Sequence, residues 1–110
     1  MTDPAGIPAL LDAIRHLHGV EARHVETVHV HEKTADGKET VWEGDVEVFD
    51  LEPHPSGAKR VYAWSEATSG TKRRFFAVLH LSPVDSPAKA VQGSLYADMM
   101  AVEKAKRALS

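Results

Sequence analysis

Apolar residues recur at helical spacing near the start of the chain, where they form one stripe: Ile7, Leu10, Leu11, Ile14 and Leu17. Asp3 is a suitable N-cap with Pro4 in the first turn, and Pro8 offers a competing start one turn later. Gly19 is typical of a left-handed C-cap. The pattern therefore predicts a first helix that ends near His18.

The period then changes to two over two segments, 25–33 and 39–51. Between them lies Ala35-Asp36-Gly37, which suits a three-residue hairpin loop with its glycine in the left-handed position. This loop sets Val28 opposite Val46. A two-residue Asp36-Gly37 turn would instead set Val28 opposite Asp45 and mix core with solvent. The hydrophobic pattern therefore predicts the longer loop.

A break at 53–57 precedes a second hairpin, whose strands are 59–67 and 72–81 around a turn at Thr68-Ser69-Gly70. A two-residue turn at Ser69-Gly70 pairs Trp64 with Phe75 and Glu66 with Arg73. A three-residue turn pairs Trp64 with Arg74 instead. The first register is preferred because it groups aromatic rings and makes an opposite-charge pair.

The last element is predicted to be a helix of about 23 residues, roughly 35 Å long. Asp85 or Ser86 is a natural N-cap, with Pro87 just inside. Gly93 is the weak point of its interior. Apolar residues recur along it at heptad-like spacing: Val91, Leu95, Met99 and Val102. Because this helix is longer than a four-stranded sheet needs for cover, its tail is free to project, to fray or to meet another subunit.

These elements predict an α+β fold in one domain spanning residues 1–110. Its core is a four-stranded antiparallel meander sheet whose strand order follows the chain. An N-terminal and a long C-terminal helix flank the sheet (α-β-β-β-β-α), and both are expected on one face.

The composition excludes several kinds of site and indicates where the protein resides. The sequence contains no cysteine, which excludes disulfides, thiolate chemistry and cysteine-type zinc sites. The N-terminus does not have the pattern of a signal peptide, and no apolar run approaches the ~18 residues of a membrane span. We therefore expect a cytoplasmic protein that does not engage a membrane.

Charge is divided unevenly between the two hairpins. Residues 21–52 carry ten acidic and three basic residues, a net of −7, whereas residues 53–74 carry five basic residues and one acidic residue, a net of +4. The chain total of −3 conceals this division. An acidic and a basic hairpin side by side indicate a partner or self-association.

The predicted register of the first hairpin brings two histidines opposite two acids on one face. His29 lies across from Asp45, and His31 lies across from Glu43. Imidazole and carboxylate together are a plausible first shell for zinc or nickel, so these four residues are the candidate metal ligands. The alternative is a set of solvated cross-strand pairs that needs no metal, with histidine pKa values raised by the carboxylates. The sequence favours this alternative, so no metal or cofactor is expected.

The motifs of common enzyme classes are not recognisable in the sequence. It has no Gly-x-Ser-x-Gly elbow, no glycine-rich phosphate loop and no dinucleotide fingerprint. No nucleophile–base–orienter set can be assembled from the pattern. The sequence therefore favours a protein without catalysis of its own.

The second hairpin interleaves aromatic and basic residues, which supply the candidates for partner binding: Arg60, Tyr62, Trp64, Arg73 and Arg74. Such a surface can bind single-stranded nucleic acid by stacking bases and tracking phosphates. A sequence pI of about 6.1 and the adjacent acidic hairpin disfavour a polyanion, however.

Self-association explains more of the pattern. Both faces of the second hairpin carry apolar residues, and two helices on one face would leave the other face bare. We therefore expect a small non-catalytic interaction module, homodimeric through its sheet. Tyr62 and Trp64 are its predicted aromatic anchors, and Arg60, Arg73 and Arg74 its charged contacts. An unidentified protein partner, a single-stranded nucleic acid and a metal on the first hairpin are the alternatives.

Overall fold

The fold is a helix, four antiparallel strands and a second helix. A computed structural model describes the backbone of residues 6–67 and 72–109, and the side chains of these residues except 102, 103 and 105–109. Its elements are α1 (Gly6–His18), β1 (Ala22–Lys33), β2 (Thr40–Leu51), β3 (Arg60–Ala67), β4 (Arg73–Leu79) and α2 (Pro87–Leu109). The strands form one sheet in the order β1-β2-β3-β4, which confirms the predicted α+β meander. The predicted cap at Asp3 and Pro4 lies outside the described residues. None of the described helices is long and apolar enough to cross a membrane.

The first hairpin has the predicted register. Val28 lies opposite Val46, and Val30 lies opposite Gly44. The pairing shifts between Glu32 and Lys33, so the last pair is Lys33 with Thr40 and the connection is longer than the predicted three residues. Gly37 adopts the expected positive φ, at 74°. A second shift between His24 and Glu26 changes which face each side chain occupies, because a bulge adds one residue to β1.

The second hairpin has neither of the registers that the sequence suggested. Trp64 pairs with Phe76, Glu66 with Arg74 and Ala67 with Arg73. The predicted turn at Thr68-Ser69-Gly70 lies outside the described residues, but the ladder leaves five positions, 68–72, between the paired ends. This register stacks Trp64 on Phe76 with ring centroids 4.9 Å apart and planes 8° apart. It also sets Glu66 opposite Arg74, although Glu66 accepts a hydrogen bond from Trp42 Nε1 at 2.6 Å and Arg74 pairs with Asp98.

The two helices lie on opposite faces of the sheet, which corrects the prediction that they share one face. Ala90 and Val91 of α2 pack in one core cluster, whose buried strand residues are Val30, Val46, Val48, Tyr62, Trp64 and Phe76. Leu10 and Ile14 of α1 pack in the other, whose buried strand residues are Phe49, Val61 and Ala63. Consecutive residues of β3 alternate between the clusters, and Val61–Trp64 are all buried. A strand that is apolar on both faces requires cover on both faces, and each helix supplies one.

Neither helix covers a whole face. On the α1 side, the parts of β1 and β2 next to the loop that connects them remain open and carry histidines and acids. On the α2 side, the packed part of the helix ends near Leu95, which is partly buried against the core. The helix continues from there to Leu109.

Candidate functional site

The two predicted aromatic anchors are part of the core under α2. Tyr62 is 3% exposed and Trp64 is 2% exposed. The Tyr62 hydroxyl lies 2.5 Å from His80 Nδ1, and burial raises the pKa of this phenol. Trp64 is stacked on Phe76 and meets Trp42 edge-on. A partner that docks on this conformation therefore does not reach either ring.

The three predicted charged contacts all have partners within the chain. Arg60 bonds the carboxylate of Asp50, its neighbour across β2 and β3, at 3.2 Å. Arg73 donates to the hydroxyl and carbonyl of Ser65 at 2.9 and 3.1 Å. Arg74 pairs with Asp98 of α2 at 3.1 Å and lies over the Phe76 ring. Arg73 and Arg74 are neighbours on one strand and point to opposite faces, so the five predicted residues do not form one surface.

The predicted histidine–acid cluster does assemble on the open part of the α1 side. His29 lies 3.0 Å from Asp45 through Nδ1 and 2.8 Å from Glu43 through Nε2. An imidazole that donates from both nitrogens is protonated. The hydrogen bonds to Asp45 and then to Glu43 raise the pKa of His29, and the bond to His29 lowers the pKa of Glu43. The two carboxylates therefore favour the protonated form of His29.

The same arrangement does not present a ready metal site. Among the described residues, no group of three or more histidine, aspartate and glutamate side chains is disposed to hold a metal ion. His29 uses both of its nitrogens in hydrogen bonds to acids, and a ligand nitrogen must be free of its proton. His31 directs Nε2 to the Thr40 hydroxyl at 2.6 Å.

The contact between Thr40 and His31 brings a hydroxyl beside a base, as nucleophilic catalysis requires. The third member of such a set would be Glu43, but its oxygen lies 4.0 Å from His31 Nδ1, beyond hydrogen-bond distance. Thr40 and Glu43 are exposed on the sheet surface. A group that is neither oriented nor shielded from water gains little nucleophilicity, so this contact does not make an active site.

Glu47 is a buried acid that the sequence analysis did not single out. Its side chain is 4% exposed and lies 2.8 Å from His24 Nε2, and it also accepts a hydrogen bond from Thr27. The available signal was its position within the apolar run Val46–Phe49. The bulge in β1 decides which histidine meets it, and a bulge is not visible in the alternation. The bonds satisfy a buried carboxylate, which is a structural role.

The outer side of α2 carries three of the large apolar side chains that are exposed among the described residues. Tyr96 is 61% exposed, Met99 is 55% exposed and Met100 is 45% exposed. Met99 was predicted to share a stripe with Val91 and Leu95, but a period of 3.6 residues rotates it about 80° away from Val91. Residues three and four apart are neighbours on a helix, so these three side chains form one surface, which we call the α2 outer surface.

A second apolar patch lies between α1 and β4. Leu17 is 55% exposed and lines an open groove together with Phe75, Ala9 and Ala13. The carboxylate of Asp12 and the imidazole of His16 border the same groove. This patch is the natural comparison for any test of the α2 outer surface.

Comparison of the chain with protein-family models, with curated proteins and with solved structures gives no match. The function is therefore inferred from the chain's own surfaces.

Proposed function

We propose that this protein is a non-catalytic interaction module that associates with a second copy of itself through the α2 outer surface. The observation that carries the proposal is the contiguous exposure of Tyr96, Met99 and Met100 on a helix whose opposite side already packs on the sheet. Tyrosine and methionine are enriched at protein interfaces. A contiguous exposed apolar surface is costly in water and is relieved when a partner covers it.

The sheet is a less suitable site for dimerisation than the sequence suggested. The sequence predicts a bare apolar face on the second hairpin, but α1 covers Val61 and Ala63 while α2 covers Tyr62 and Trp64. The exposed apolar surface lies instead on the outer side of α2, the helix that covers Tyr62 and Trp64.

The same facts weaken the nucleic-acid alternative. Base stacking requires aromatic faces that a base can reach, and Tyr62 and Trp64 are enclosed beneath α2. The arginines that would contact phosphates are engaged with Asp50, Ser65 and Asp98. A cytoplasmic location, in keeping with a sequence free of cysteine, belongs to the proposal.

The proposal is tested by placing one charge on each apolar patch. Met99→Lys should shift the protein towards monomer, measured by size-exclusion chromatography with light scattering over a range of concentrations. Each dimer would bury this position twice, and a buried methionine contributes about 1.5–3 kcal/mol. The dissociation constant should therefore rise by at least about tenfold.

Leu17→Lys is the matched control, because it introduces the same charge at an equally exposed apolar residue of the other patch. It should leave the association unchanged. Loss of association with Leu17→Lys but not with Met99→Lys would move the interface to the groove between α1 and β4. Association that neither substitution alters would also contradict the proposal.

A further inference from the structure

The free side of β4 is one edge of the sheet, because β4 is the last strand in the order. Just beyond this strand, the N–H of His80 donates to the carbonyl of Arg60 at 2.8 Å. In an antiparallel ladder, residues alternate between bonding the neighbouring strand and directing their backbone groups away from it. The even-numbered residues of β4 therefore bond β3, and its odd-numbered residues direct their N–H and C=O groups outward.

The chain itself covers the C-terminal half of this edge. The outward carbonyl of Ala77 accepts a hydrogen bond from His18 Nε2 at 2.9 Å. The outward carbonyl of Leu79 accepts one from the N–H of Leu81, also at 2.9 Å. Among the described residues, none bonds the outward backbone groups of Phe75. An unpaired stretch of an edge strand is a template for another extended chain.

This unpaired stretch lies beside the groove between α1 and β4. Phe75 is 38% exposed and lines the groove together with Leu17, Ala9 and Ala13 of α1. Its ring is on the α1 side of the sheet, because the next residue, Phe76, packs under α2. The groove has a volume of about 460 Å³, which accommodates an apolar side chain. A segment that pairs with the edge at Phe75 therefore places alternate side chains at the groove.

The charge at the N-terminal end of this edge suits an acidic group. Arg73 lies two residues before Phe75 and hence on the same face of β4. Its Nε and Nη2 donate to Ser65, and Nη1 has no partner among the described residues. Asp12 also borders the groove, but its carboxylate pairs with Arg15 at 3.0 Å. Because side chains on one face of a strand are two residues apart, the matching segment carries an acid two residues from an apolar group.

We propose that the β4 edge and this groove form a peptide-binding site, which takes an extended segment of another protein as a fifth strand. An apolar side chain of the segment lies in the groove against Phe75 and Leu17, and an acidic side chain two residues away binds Arg73. Backbone hydrogen bonds supply affinity in this mode, and alternate side chains supply specificity. The site is separate from the α2 outer surface, so it goes beyond the proposed self-association and does not depend on it.

Two fluorescein-labelled nonapeptides are the probes. Their central residues are valine-threonine-glutamate in one and glutamate-threonine-valine in the other, which covers both strand directions. Threonine fills the other positions, because it favours extended backbone and carries no charge. Fluorescence anisotropy should show saturable binding of one peptide, weakened about tenfold when its valine is replaced by serine. Absence of saturable binding by either peptide up to about 1 mM would overturn the inference.

Charge exchange tests the contact with Arg73. Arg73→Glu should weaken binding of the glutamate peptide about tenfold and should strengthen binding of the corresponding lysine peptide by a similar factor. Weakening of both peptides, or of neither, would place Arg73 outside the site.

Leu17→Ser tests the groove, because it removes one apolar wall, and it should weaken peptide binding about tenfold. Met99→Ser is the matched control, since Leu17 and Met99 are both 55% exposed, and it should leave peptide binding unchanged. Equal effects of the two substitutions would reject the groove as the binding site.

N-methylation of the peptide tests the strand pairing itself. Alternate amides of an added strand face β4, so methylation of adjacent amides should have unequal effects. One methylated peptide should lose binding, and the other should bind nearly as well as the unmodified peptide. Equal losses, or no loss in either, would reject strand addition.

Discussion

The imidazole of His29 lies between the carboxylates of Asp45 and Glu43, which favour its protonated form, so His29 is a residue sensitive to pH. Its pKa should lie above the ordinary value of 6.5, because the charged ring donates to both acids. Asp45→Asn should lower this pKa, as measured by NMR titration of the His29 ring protons. A His29 pKa that does not move in the Asp45→Asn variant would contradict the observed pairing.

The same pairing predicts that its contribution to the stability of the fold depends on pH. A raised histidine pKa stabilises the folded state fully below 6.5, and this contribution is lost as the pH rises through the folded-state pKa. The lowered pKa of Glu43 stabilises above 4.5, and this contribution is lost as the pH falls through its folded-state pKa. Urea unfolding of wild type and His29→Gln should therefore differ most between pH 4.5 and 6.5 and less at pH 9. An equal difference at all pH values would disprove the linkage.

Glu47 supplies a second residue-level test. Removing His24 leaves a buried carboxylate with fewer donors, which typically costs about 1–3 kcal/mol. A double-mutant cycle of His24→Ala and Glu47→Ala should therefore give a coupling energy of about this size in urea unfolding. Independent effects of the two substitutions would mean that the contact at 2.8 Å contributes nothing to stability.

At the residue scale, the sequence predicts cross-strand contacts correctly where it determines the pairing register of a hairpin. The alternation around Gly37 suffices to predict that His29 faces Asp45 and that His31 faces Glu43. It does not reveal the burial of Tyr62 and Trp64, because alternation tells which side chains share a face but not which face a helix covers. Glu47 is buried among the side chains that it bonds, His24 and Thr27, and the bulge in β1 that brings them to it is a backbone feature that alternation does not reveal.

At the scale of elements, the difference between the two hairpins is physical. The first hairpin has one apolar and one polar face, so a shift by one residue would bury charge, and its register is determined. The second is apolar on both faces near Val61–Trp64, so several registers bury similar side chains. The same double apolarity explains why one helix on each face is more stable than two helices on one face.

The opposite placement of the helices predicts additive energetics. Ile14 and Val91 are both fully buried, on opposite faces of the sheet. Ile14→Ala should lower the free energy of unfolding by about 2–5 kcal/mol, and Val91→Ala should lower it by somewhat less. Because the two sites share no contact, the double variant should equal the sum within about 0.5 kcal/mol. Strong coupling in chemical denaturation would place the two helices against each other instead.

At the scale of the whole molecule, the acidic and basic hairpins are neighbours and neutralise each other in part. Asp50 at the end of β2 binds Arg60 at the start of β3, and Arg74 binds Asp98 of α2. Part of the opposite charge that indicated a partner is therefore neutralised by ion pairs within the chain. The surface proposed for a partner is therefore the α2 outer surface, on the long helix whose tail the sequence predicts to extend beyond the sheet.

The central claim is self-association, and sedimentation equilibrium of the wild-type protein tests it most directly. The experiment should span concentrations from about 1 μM to 1 mM, which brackets weak and moderate dimers. The account predicts a monomer–dimer equilibrium in which the apparent mass rises from the 12.0 kDa of one chain towards twice that value. An apparent mass of 12.0 kDa at every concentration would contradict it.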